Sequence, residues 1–235
     1  MADDGLDDGA IYDLLSWMSP AWPTGAFAYS GGLEWAVEAN RVTDRATTLD
    51  WILAQLEHGA LWSDAVIFVH AHRATKAADA ARLAEVAELA VAMLTSAERH
   101  LESTAQGAAF RRIAREAAPA GAMALLEGIA DDAIALPVAA GCTTAAHGLP
   151  ERPALTAFLH AAAANLVSAA QRLVPLGQTD GQRVLRDGRA TIVATAARAA
   201  ALDDGDPFDA LASAAIWADY ASMAHETQYT RLFRT

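Results

Sequence analysis

Apolar residues recur at spacings of three and four along nearly the whole chain, and almost no stretch alternates with a period of two. The first pattern buries one face of a helix, the second one face of a strand. Ile11, Leu14, Leu15 and Met18 mark a helix over Ala10–Met18. Pro20, Pro23, Gly25, Gly31 and Gly32 then interrupt the pattern, so Ser19–Gly32 is expected as a loop before a short helix over Leu33–Asn40. A longer helix is expected from a cap at Thr47 or Thr48 to about Ala74, with Ile52, Leu53, Leu56, Ala60, Val66 and Val69 inward. Asp79 to about Ala118 reads as helical throughout, with Ser96 able to cap a second helix inside it. Short helices follow around Met123–Asp131 and Pro137–Ala146. Pro153 suits the first turn of a helix reaching about Val174. Thr179 or Asp180 opens another to about Leu202, and Pro207 or Phe208 opens the last, ending near Gln228. The sum is a single-domain, all-α bundle of roughly eight to ten helices. An acidic flexible stretch (1–9) precedes the helical domain (10–228), and a short tail (229–235) follows it.

Composition sharpens this picture. Alanine, the best helix former, supplies 60 of the 235 residues, while aromatics supply only 7%. Small side chains let helices approach closely. With 54% apolar and 20% charged residues the chain is no disordered polymer. A net charge of −12 and a pI near 4.9 repel phosphate backbones and anionic lipids, so neither nucleic acid nor membrane is an expected partner. The lone Cys142 makes no internal disulfide, and Met1–Gly9 carries aspartates where a leader would be basic; a cytoplasmic location is expected. Ala133–Pro150 and Pro153–Gln171 lack strong charge runs but are broken by polar residues or dominated by alanine. Both are expected inside a soluble bundle rather than across a bilayer.

Candidate chemistry is sparse. The only lysine, Lys76, follows no phosphate-binding glycine pattern, and no dinucleotide fingerprint follows a strand. His70 and His72 are two apart, which points them about 200° apart on a helix, and Cys142 has no partner cysteine. Cys142 and His147 admit a joint site by spacing alone. No metal site and no cofactor are expected. Ala28-Tyr29-Ser30-Gly31-Gly32 resembles a nucleophile elbow with alanine first, a turn that needs a preceding strand. Its alternatives are a serine-dependent hydrolase built on Ser30 and a serine that shapes a helix entry.

Three segments are denser in backbone constraint than a bundle needs. Ser19–Glu34 reads SPAWPTGAFAYSGGLE, Val174–Gln182 reads VPLGQTDGQ, and Ala221–Thr235 reads ASMAHETQYTRLFRT. In the middle one, Gln178, Asp180 and Gln182 are placed to bond exposed backbone groups at a helix break. Continued as a helix, the last would gather Tyr229, Leu232 and Phe233 on one side, flanked by Arg231 and Arg234. Such an end is either a docked helix that seals the core or a tail that orders on binding.

Together the three segments resemble the motifs of the UreF family of urease accessory proteins, and Gln106-Gly107-Ala108-Ala109-Phe110 fits as well. The matched positions are Pro20, Pro23, Gly25, Tyr29, Ser30, Gly32, Leu33 and Glu34, then Pro175, Gly177, Gln178, Asp180, Gly181 and Gln182, then His225, Glu226, Gln228, Arg231, Leu232 and Phe233. Two departures are Ala224, where members often carry a basic residue, and Trp22, where a smaller aliphatic is common. The resemblance implies a non-enzymatic, all-α scaffold that tends to form a homodimer. It implies joining a UreD/UreH-type protein, recruiting a UreG-type GTPase and docking on apo-urease for nickel insertion. Tyr29, Glu34, His225, Glu226, Gln228, Tyr229, Arg231, Leu232 and Phe233 are then expected to bind partners. Pro20, Pro23, Gly25, Ser30 and Gly32, with the middle set, are expected to fix the fold or an interface.

Overall fold

The computed structural model describes residues 6–211 and 213–235. Among these the chain forms ten α-helices and no strand. They are α1 (Asp8–Trp17), α2 (Leu33–Glu38), α3 (Arg45–His58), α4 (Ala60–Lys76), α5 (Ala80–Ala92), α6 (Ala97–Ala117), α7 (Leu136–Ala146), α8 (Glu151–Leu173), α9 (Gln178–Ala200) and α10 (Ile216–His225). Short 3-10 turns lie at Ala26–Ala28, Gly121–Leu126, Asp131–Ala133 and Pro207–Ala210. The all-α expectation holds.

Helix α4 is the axis. Val66, Ile67, Phe68 and Val69 are consecutive and all buried, so the helix is surrounded rather than half-exposed. It packs against α3, α5, α7, α8 and α9. Helix α8 is the one helix among the described residues long and apolar enough to cross a bilayer, and half of that apolar window is buried in the bundle. Its apolar content is spent on α9 and α4.

Several boundaries differ from expectation, each for a local reason. The helix expected from Thr47 or Thr48 starts three residues earlier, because Asp44 caps it through the Thr47 amide at 2.9 Å while Thr47 reaches back. It also breaks at Gly59, where the Gln55 carboxamide accepts the Ala60 N–H (3.0 Å) and the His58 carbonyl accepts from Ala214 (2.7 Å). Ser96 does cap a second helix inside 79–118, accepting the Arg99 N–H at 3.0 Å. The stretch expected as a helix over 123–131 forms no α-helix, only parts of the 3-10 turns Gly121–Leu126 and Asp131–Ala133. The last expected helix divides into the turn Pro207–Ala210 and α10, which stops at His225. Cys142 and His147 face different partners: burial pushes the Cys142 thiol up to about 11, while His147 Nδ1 meets the Thr143 carbonyl and its ring edges onto Trp17. Their spacing therefore does not become a joint site.

Two glycines set how closely the elements approach. Gly32 has φ +80°, and a Cβ there would lie 2.7 Å from the Ser222 nitrogen, so α10 crosses directly over the start of α2. At Gly107 a Cβ would sit on the Ile134 carbonyl oxygen and against the Ala135–Leu136 backbone. Gly107→Ala should therefore destabilise the protein by about 1–3 kcal/mol through overpacking, read as a lower denaturant midpoint. Gly128→Ala, where nothing lies within 4 Å of the added carbon, should leave the midpoint unchanged.

Candidate functional site

The last ten residues do not continue α10. Glu226–Thr235 runs back across the bundle without helical structure, and its side chains divide: Phe233 is buried, Tyr229 fully exposed and Leu232 mostly exposed. The single apolar side expected for a helical tail is thus replaced by two opposite ones. The cause is Glu34, whose carboxylate accepts the Leu232 N–H at 2.6 Å and the Phe233 N–H at 2.9 Å. Those amides find on α2 the acceptor that a helix would supply internally.

Glu34 is oriented in turn by His225. The imidazole is fully buried, with Nε2 3.0 Å from a Glu34 oxygen and Nδ1 2.7 Å from a Glu98 oxygen. Each contact needs a proton, so the Glu34–His225–Glu98 triad holds two protons among its three groups. Arg231 adds a donor to Glu98 at 2.9 Å and bonds the Glu226 carbonyl at 3.2 Å. Burial pushes the Glu98 carboxyl above its ordinary range, opposed by His225 and Arg231. Glu226 itself accepts the Ala97 N–H at 2.9 Å and so helps start α6.

Beyond the triad, the tail ties into the loop before α2. The Thr235 carbonyl oxygen accepts from both the Ser30 N–H (2.8 Å) and the Ser30 hydroxyl (2.7 Å), and Arg234 N–H donates to the Ala28 carbonyl at 2.8 Å. Arg172 lies over the Phe233 ring, 4.2 Å from its centroid, and donates to the Phe27 carbonyl. Phe233 completes a second, small core with Leu33, Ala36, Val42, Ala169, Ala170 and Val174. All three constrained segments contribute to that core.

The elbow reading of Ser30 fails here on geometry. No strand precedes it among the described residues, the residue is fully buried, and its hydroxyl proton goes to the Thr235 carbonyl. Tyr29 is also buried, and its carbonyl accepts from Asn165. Pro20 and Pro23 are exposed, while Gly25 turns the loop with φ +78°. At the α8–α9 joint, Gln178 accepts from Gln171, Asp180 pairs with Arg183, and a Cβ on the buried Gly181 would strike the Gln171 amide. These side chains bond other side chains rather than free backbone. Pro175, Gly177 and Gln182 are exposed there, and Gln228 donates to the Thr230 carbonyl within the tail. Of the residues expected to meet a partner, Tyr29, Glu34, His225 and Phe233 are interior; the last three set the course of the tail.

Below this junction a cleft of about 1360 Å³ opens under the Pro20–Phe27 loop. Trp22 and Phe110 line it, and so does a charged cluster in which Arg99 pairs with Glu102 at 2.8 Å and with Asp64 at 3.6 Å. Thr235 meets Glu102 at 3.4 Å, so the cluster adjoins the tail. Sequence reasoning missed Asp64, Glu98, Arg99 and Glu102. Acids and bases at helix starts are ordinary, and no spacing distinguishes these.

A model of the UreF family matches residues 42–189. The chain belongs to the UreF family. Similar relatives span the terminal motifs as well. The urease accessory protein UreF of Rhodopseudomonas palustris (strain BisB5) is 53% identical over 228 residues, covering 96% of this chain and 91% of the relative. That of Bradyrhizobium sp. (strain ORS 278) is 51% identical over 237 residues, covering 100% of this chain and 95% of its own length. The UreF junction between tail and bundle therefore lies in a chain matched almost end to end.

Two outcomes follow from its electrostatics. His225→Ala strands two buried carboxylates and should cost about 3–5 kcal/mol, with fast hydrogen exchange at the Leu232 and Phe233 amides. Burial raises the Asp64 carboxyl to about 6 from 3.8, with Arg99 pulling down and Glu102 pushing further up. Between those values the folded chain binds more protons at Asp64 than the unfolded one, so this group's contribution to stability declines as pH rises and is gone above about 6. The stability difference between wild type and Asp64→Asn, followed by denaturant titration, should fall across that window.

Proposed function

We propose that this UreF protein is a non-enzymatic, cytoplasmic scaffold of urease maturation. In this reading it joins a UreD/UreH-type accessory protein and recruits a UreG-type GTPase, so that nickel enters apo-urease. It acts as a homodimer. The observation that carries the reading is the docked tail. Burying Phe233 beneath it turns Tyr229 and Leu232 to solvent, and α10 adds Ile216, Trp217, Tyr220 and Met223 on its exposed face. Aromatic anchors of this kind dominate protein–protein hot spots, and soluble monomers rarely leave so many uncovered. Arg231, pinned to Glu98, holds this surface in one conformation, which lowers the ordering cost of binding.

The reading separates surface from support. Tyr229→Ser combined with Leu232→Ser should leave the fold and thermal midpoint intact, yet abolish co-purification with the UreD-type protein and urease activation. Arg231→Ala should weaken the same complex measurably by loosening the tail. Full capture of the UreD-type and UreG-type proteins by the double variant would refute the tail as the docking surface.

A further inference from the structure

Helix α1 is apolar on two opposite sides. Leu14 and Trp17 face the bundle and are buried. Ile11, Tyr12 and Leu15 face away and are 42%, 73% and 70% exposed. Ile11 and Leu15 are one turn apart, and Asp8 lies between them and Tyr12 on the same outward stripe. A surface helix ordinarily puts polar residues on its outer side, and a helix apolar all round is one packed all round. Among the described residues this one has no second cover.

The charge around the stripe says what kind of cover fits. Asp7 caps the helix, Asp8 sits within the stripe, and Asp13 lies one position past Tyr12. No lysine, arginine or histidine occurs in the chain before Arg41, so no basic side chain of α1 or its neighbours in sequence pairs with these carboxylates, although the Ala10 N–H donates to Asp7. A second copy would set the same acidic helix against itself across a two-fold axis, on a chain whose net charge is −12. An anionic lipid surface is repelled for the same reason. We propose that the outer face of α1 docks a helix of another protein whose apolar face carries arginine or lysine, placed over Asp8. This face shares no residue with the tail or α10, so it supplies a second binding surface whether or not the tail reading stands.

The test uses the full chain and a synthetic leucine/lysine amphipathic helical peptide, read by fluorescence anisotropy, with a leucine/glutamate peptide of equal length beside it. The leucine/lysine peptide should bind and the leucine/glutamate peptide should not. Ile11→Ser with Leu15→Ser should weaken binding roughly tenfold, and Asp8→Asn should flatten its salt dependence. Phe208→Ser, an exposed change on the Pro207–Ala210 turn outside both surfaces, should change neither. Helical circular dichroism of each variant must match wild type; Tyr12→Ser, a single exposed change, replaces any variant that fails this check. Three results would overturn the proposal. They are equal binding of the acidic peptide, leucine/lysine binding that survives the α1 changes, and light scattering in which those changes dissociate a homodimer.

Discussion

One imidazole between two carboxylates holds the ends of this molecule together. His225 is inaccessible to water, and the Glu34 and Glu98 side chains it meets are each only 8% exposed. A buried charge without partners is costly, so each member tolerates burial only while the others stay in place. Glu34 then spends its remaining acceptor capacity on two tail amides, and Glu98 on Arg231. Helices α2, α6 and α10 and the tail are thereby locked to a common point. The specificity of that point comes from polar satisfaction; the small core around Phe233 adds area but little direction.

The bundle was legible because its helices obey the plainest rules. Period, Pro153 near a first turn and Ser96 as a cap located the long elements, and alanine left no competing strand pattern. The failures share one physical origin, a side chain distant in sequence standing in for local backbone bonding. Glu34 takes amides 198 and 199 positions away, which no window over 226–235 can anticipate. Asp44 was overlooked beside two threonines that read as caps, although Thr47 serves it as the reciprocal partner. The three constrained segments were recognisable as motifs, but their meeting in one small core was not, because residues 33, 174 and 233 carry no mark of proximity.

The candidate residues divide in the same way. Residues that looked suited to contact, Glu34 and His225, are interior and act on the surface only through the tail they fix. Trp217, Tyr220 and Tyr229 are exposed aromatics whose exposure a pattern does not reveal. The C-terminal motif of this chain thus combines a hidden frame, His225 and Phe233, with a displayed face, Tyr229 and Leu232, and sequence similarity alone weights the two equally.

The tail's attachment also has a consequence in time. Ser30 and Thr235 are 205 positions apart, and Glu34 and His225 are 191 apart. Contacts of such separation demand the largest loop closure and form after the local helices they join. During synthesis, domains begin to fold before the chain is finished. The helices from α3 to α9 can therefore assemble while Phe233 is still to be made. Only a chain synthesised through Phe233 can fill the pocket beside Leu33 and turn Tyr229 outward. A product interrupted before Phe233 presents the helices, but not the face that the docked tail displays.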